Sequence, residues 1–159
     1  MLGIFRKTGT AELVSSRLYD SYTFYRAFER DLSLCRQELL IESPFITVRR
    51  LESLLPSLQK LTTRGVKIIV NTKPLQEHED YLYYEAQKGI AMLQNIGVEV
   101  LYTGGHHRKL AIFDRQILWE GSLNILSQND SCEIMRRIES AELANQMISF
   151  AKMDKFLRA

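Results

Sequence analysis

Cysteine, proline and histidine are all scarce in this chain of 159 residues, at two, three and three. The two cysteines, Cys35 and Cys132, lack the close spacing of metal ligands, which argues against a thiolate metal site and a disulfide scaffold. They read as two reduced thiols of a cytoplasmic protein. With so little proline there is no Pro/Gly/Ser-rich linker, and neither an internal repeat nor a low-complexity tract divides the chain. No run approaches the ~18 apolar residues that span a bilayer, so no membrane partner is expected. The start, MLGIFRKTGT, lacks the apolar centre of a secretory signal. Charge of one sign is also in short supply: the net value of +2 permits an anionic partner without demanding one.

What is present is an ordinary globular composition. Apolar residues at 45% are enough to bury a core without covalent staples, and the length suits one domain over 1–159. Residues 1–15 show no period and read as a loose N-terminal segment. Tyr22, Tyr25, Phe28, Leu32 and Cys35 recur at helical spacing. ELLIESPFI (38–46) begins as a strand and stops at Ser43-Pro44. Thr47 can cap a helix whose apolar stripe is Leu51, Leu54, Leu55, Leu58 and Leu61, ended by Gly65. Pro56 is expected to kink or split it.

A buried strand (66–71), a helix (80–94) and another strand (98–102) follow. Alternation of strand and helix argues for a parallel sheet with crossover helices. Beyond Gly104-Gly105, read as a flexible approach to the next strand or an ordinary loop, the pattern changes. Two short runs, 109–113 and 117–121, flank the three-residue hairpin candidate Asp114-Arg115-Gln116. A strand (133–138) and a closing helix (142–157) complete the chain. The buried side of that helix reads as Leu143, Met147, Phe150, Ala151 and Phe156. The fold class is α/β, a mixed β-sheet flanked by helices on both faces.

The hairpin carries the chemistry. Side chains alternate faces along a strand, so His107 and Lys109 point one way and Asp114 the other. Ser122 and Asn124 share parity at the end of the next run. Lysine supplies charge, serine and asparagine supply neutral donors, and imidazole can attack or carry a proton near neutral pH. Together they suit a phosphate. Singly, each is more often an exposed strand end or a turn.

The combination His-x-Lys, four residues, Asp, six residues, Gly-Ser-x-Asn, borne by His107, Lys109, Asp114, Gly121, Ser122 and Asn124, resembles the HKD motif of the phospholipase D superfamily. Glu133 stands where that family places a later acidic residue, and IESPFIT resembles its first strand. The resemblance spans roughly residues 38–158 and extends to phospholipase D-like domains attached to DNA helicases. It implies a phospholipase D-like sandwich and phosphodiester cleavage through a phosphohistidine, with neither metal nor cofactor. His107 would attack or protonate. Lys109 and Asn124 would hold phosphate oxygens, and Ser122 would do so too or hold the loop. Glu133 would accept a hydrogen bond from the His107 ring, and Asp114 would stabilise the turn.

Two such motifs make one site in the family, and this chain has one. His106 lacks the spacing. His78, in the acidic stretch QEHEDY, reads as a solvated helix-start residue. A homodimer is therefore implied. Arg49, Arg50 and Arg108 are candidate backbone contacts for nucleic acid, DNA first, although any single one is more often a solvated charge. Tyr81, Tyr83 and Tyr84 are more often helix packing than base-stacking platforms. A non-catalytic DNA-binding module of a helicase system and a phospholipid phosphodiesterase are the alternatives.

Overall fold

A computed structural model describes residues 15–128 and 130–158. Seven strands form one mixed sheet in the order β1-β7-β6-β5-β2-β3-β4. They are β1 Ser15–Asp20, β2 Glu38–Glu42, β3 Lys67–Thr72, β4 Glu99–Tyr102, β5 Leu110–Phe113, β6 Ile117–Gly121 and β7 Ile134–Glu139. The helices are α1 Phe24–Leu34, α2 Val48–Thr63, α3 Asp80–Asn95 and α4 Ala141–Phe150. Strands β2, β3 and β4 run parallel, and β5, β6, β7 and β1 add antiparallel ladders. The expected α/β sandwich with a mixed sheet is what forms.

Period-two alternation sorts the core into two layers. Leu39, Ile41, Ile68, Val70, Ala111, Phe113 and Trp119 face α1, α2 and α3. Leu40, Ile69, Leu110, Ile112, Leu118 and Ile138 face α4. Every residue of β2 is buried, as a central strand covered on both sides requires.

Three expectations change. The edge strand β1 lies unread between the loose segment and the first helix. Its SSRLYD is mostly exposed and is held by the ladder to β7, so it carries little apolar signal. Residues 1–14 lie outside the described residues. Helix α2 is continuous through Pro56, because Pro56 sits on the solvent face, where water can take the carbonyl that its missing N–H leaves free. The last helix stops at Phe150, which is 77% exposed rather than buried. The chain turns at Lys152 (φ 58°), and Met153 and Leu157 fill the core instead. Among the described residues, no helix is long and apolar enough to cross a membrane.

Candidate functional site

The motif sits where the antiparallel half of the sheet meets the parallel half. His107 and Lys109 lie in the loop that leads into β5, one step before the strand itself. Gly105 begins this loop at φ 65°, and its N–H donates to both oxygens of the Glu77 carboxylate at 3.1 and 3.0 Å. The glycine pair is therefore an anchored turn.

His107 is exposed. Lys109 Nζ donates to the His107 carbonyl at 2.8 Å, holding the ammonium beside the histidine. Burial pulls the Lys109 pKa below its usual value, opposed by the charge of Glu133. Gly121 N–H donates to the Lys109 carbonyl at 3.3 Å, which joins the His-x-Lys segment to the Gly-Ser-x-Asn segment.

Gly121 is required by crowding. A Cβ there would stand 2.1 Å from the Ile134 carbonyl oxygen and 2.9 Å from Met135 Cα. Ser122 fastens the same crossing: its N–H donates to the Ile134 carbonyl at 2.9 Å, and its Oγ accepts the Ile134 N–H at 3.0 Å. Of the two uses expected of Ser122, this contact is the holding one. Asn124 follows in a turn closed by Ser127 N–H on its carbonyl, and its Oδ1 is buried without a partner among the described residues. This turn is bound to the start of the chain's parallel half. Leu126 N–H donates to Ser43 Oγ at 3.2 Å, Gln128 N–H to Thr47 Oγ1 at 2.7 Å, and Tyr25 OH to the Ile125 carbonyl at 2.8 Å. Thr47 thus precedes α2 as expected but fastens the Asn124 turn. The first helical N–H, that of Val48, goes instead to Glu85 Oε2 at 2.6 Å.

Glu133 accepts a hydrogen bond from Ser131 Oγ at 2.8 Å; among the described residues none joins it to His107. Its charge acts on Lys109. Asp114 stands at the far end of β5, roughly 17 Å along the extended chain from the motif lysine. Its carboxylate accepts the N–H groups of Arg36, Gln37 and Glu38 at 2.9, 2.8 and 3.0 Å. Arg49 is exposed in the first turn of α2, while Arg50 lies over the Tyr25 ring at 3.6 Å.

The other two histidines are buried. His78 is 7% exposed, edge-on to Phe45 at 5.7 Å, so it is not the solvated residue its acidic neighbours suggest. The chain turns through Leu75–Glu77 and folds it inward. His106 is 2% exposed. Its Nδ1 accepts the Arg108 N–H at 3.2 Å, so Nε2 carries the proton and donates to the Asn71 carbonyl at 3.2 Å. Burial holds its pKa down. Arg108, expected to reach toward substrate, spends Nε and Nη2 on Glu42 at 2.5 and 3.0 Å. Glu42, Asn71 and His106 are the participants that sequence reasoning missed.

A cavity of about 450 Å³ opens beside Lys109, lined also by Arg108, Arg136, Leu18, Ile134 and Phe150. Among the described residues, no three His, Cys, Asp or Glu side chains are grouped to hold a metal ion.

The family described as cardiolipin synthase, PLD-like domain, matches residues 28–154. The chain belongs to that family. Solved structures share the fold. NucT from Helicobacter pylori aligns with a TM-score of 0.68 at 20% identity, over 87% of this chain and 93% of its own. Nuc from Salmonella typhimurium, a phospholipase D family member, aligns at 0.67 and 14%, over 86% and 90%. TrmBL2, an archaeal chromatin protein described with a novel mode of DNA binding, aligns at 0.56 and 14%, over 91% and 52%. No curated protein matches the sequence.

Proposed function

We propose that this protein is a metal-independent phosphodiesterase that cleaves nucleic acid, DNA first, at an active site completed by a second copy of the chain. The observation that carries the reading is the state of the three histidines. His106 has both ring nitrogens engaged and His78 is buried, which leaves His107, beside Lys109, as the one exposed imidazole among the described residues. A single imidazole cannot be nucleophile and general acid at once.

In the dimer, one His107 nitrogen attacks phosphorus while the partner's His107 protonates the departing oxygen, leaving a phosphohistidine and a free hydroxyl end. The partner's His107, now neutral, takes a proton from water. That water attacks phosphorus, the P–N bond breaks, and a phosphomonoester departs. Lys109 and the Asn124 amide hold the non-bridging oxygens as charge develops. Glu133 offsets the cluster's positive charge, and Arg49 is available to flanking phosphates. Leu18, Ile134 and Phe150, 59, 62 and 77% exposed around the Lys109 cavity, form an apolar rim suited to isologous docking. A cytoplasmic setting fits the free thiols of Cys35 and Cys132.

The DNA-binding chromatin protein of the same fold supports nucleic acid as substrate, and a helicase system remains the proposed larger setting. The family's description names a lipid synthase, so phospholipid is the second reading. Purified protein is incubated with single- and double-stranded DNA in EDTA, with a short-chain phosphatidylcholine arm. DNA cleavage that survives EDTA and disappears in His107→Ala, from a particle of dimer mass by light scattering, is expected. A strict monomer, or cleavage that needs magnesium, overturns the mechanism. Turnover of the lipid alone replaces the substrate.

A further inference from the structure

The residues on either side of His107 are both locked into one buried polar network, while His107 itself projects from it. Glu42 is wholly buried at the end of the strand ELLIE, where its nearest neighbour on the same face, Leu40, is apolar. It accepts Arg108 Nε at 2.5 Å and Nη2 at 3.0 Å, and Asn71 Nδ2 at 3.0 Å. Asn71 Oδ1 in turn accepts Thr103 Oγ1 at 3.0 Å. His106 is held by the Asn71 carbonyl at one ring nitrogen and by the Arg108 N–H at the other. Residues 103, 106 and 108 of the loop are thus tied to the ends of β2 and β3.

A buried carboxylate held by a half-exposed guanidinium is a poor way to stabilise a strand: apolar side chains of similar volume are often as stable or more so. What the pair does supply is a fixed fork geometry. We propose that Glu42 and His106 are positioning residues. Through Arg108 and Asn71 they clamp the backbone at 106 and 108, so that the ring of His107 is presented to the phosphorus and the Lys109 ammonium stays beside it. Neither residue touches substrate. This role rests on the phosphodiesterase reading above, in which His107 attacks or protonates.

The test uses Glu42→Gln and Arg108→Lys. Each keeps a polar side chain of similar length but loses the fork. Arg108, with its side chain 38% exposed, tolerates replacement, so Arg108→Lys decides the matter even if Glu42→Gln does not fold. Folding is checked by thermal melting. The ring resonances of His107, assigned by comparison with His107→Ala, are recorded by nitrogen-15 NMR, and kcat and KM are measured on a fluorescent oligonucleotide in EDTA.

The expected result is a folded variant whose His107 ring signal broadens or splits. Its kcat falls about tenfold to a hundredfold, as small displacements of a reacting group cost, with KM within about twofold. An unchanged His107 signal with unchanged kcat overturns the proposal. So does a raised KM at constant kcat, which would make Arg108 a substrate contact. If the wild-type protein cleaves nothing, the phosphodiesterase reading has failed, and the ring spectrum alone still reports whether the clamp exists.

Discussion

Asp31 on α1 and Arg137 on β7 form a bidentate ion pair through the core, Nε to Oδ2 at 2.8 Å and Nη2 to Oδ1 at 2.9 Å. Trp119 Nε1 donates to the same Oδ2 at 2.7 Å. Asp31 is 3% exposed and Trp119 fully buried, so one carboxylate satisfies three donors and staples α1 to two strands. Asp31→Ala leaves the indole N–H without an acceptor and the largely buried guanidinium with only the long contact from Nη1 to Glu139 Oε2 at 3.4 Å. The expected cost is about 3–5 kcal/mol, a fall in melting temperature on the order of 10 °C by calorimetry. A loss below about 1 kcal/mol would mean that water replaces the carboxylate and that the staple is ornamental.

Gly121 and Gly97 separate two reasons for glycine. Gly97 has φ 91° with nothing within 4 Å of where a Cβ would stand, whereas at Gly121 the β7 backbone blocks the Cβ at 2.1 Å. Gly97→Ala costs conformational strain alone, about 1 kcal/mol. Gly121→Ala must push β7 from β6 and is expected to cost about 3 kcal/mol or more. Urea titration of both variants gives the comparison, and equal losses would contradict the crowding.

The parts of the fold that are legible in the sequence are those whose cause is local. Strands β2 and β3 are apolar runs bounded by turn residues, and the stripe Leu51, Leu54, Leu58, Leu61 can only be a helix buried on one face. Strand β1 is not legible, because an exposed edge strand is specified by its partner β7. Phe150 misleads because the stripe continues past the point where the chain turns at Lys152. In the site, the motif residues can be read from spacing, but the network beneath them cannot. Glu42 and Arg108 are 66 positions apart, and a lone glutamate ending a strand carries no sign of its partner. Glu133 is close enough for its charge to act on Lys109, yet its hydrogen bond goes to Ser131.

Asp114 belongs to the motif but stands at the opposite end of β5 from Lys109. Burial would raise its carboxyl pKa, yet the N–H groups of Glu38, Arg36 and Gln37 outweigh it and hold the pKa below the usual value. A depressed folded-state pKa contributes stability above the unfolded value of 3.8, lost as pH falls through the folded one. Asp114→Ala strands three donors and is expected to destabilise by about 2 kcal/mol or more. The cleavage rate per folded molecule in EDTA should stay within about twofold, since the residue stands a strand's length from His107. A large drop in that rate at full folding would place Asp114 back in the centre.

His78 sets an acid limit on stability. It lies against Phe45 with both ring nitrogens unpartnered among the described residues. Burial, and then the charge of Lys73, push its pKa below 6.5, against smaller opposing contributions from the Lys73 backbone and Glu77. The folded state therefore favours the neutral ring while the unfolded chain takes up a proton near 6.5. Stability is full above that value and declines as pH falls below it toward the folded pKa. His106, also held down by burial, acts in the same direction. His78→Phe keeps a ring against Phe45 and removes both the titration and two unsatisfied nitrogens. At neutral pH it should be neutral or stabilising by about 1 kcal/mol. The decisive measurement is the drop in melting temperature between neutral and mildly acidic buffer. That drop should shrink in His78→Phe but not vanish, because His106 remains. An undiminished drop would mean that His78 is hydrated and titrates as freely in the folded protein as in the unfolded chain.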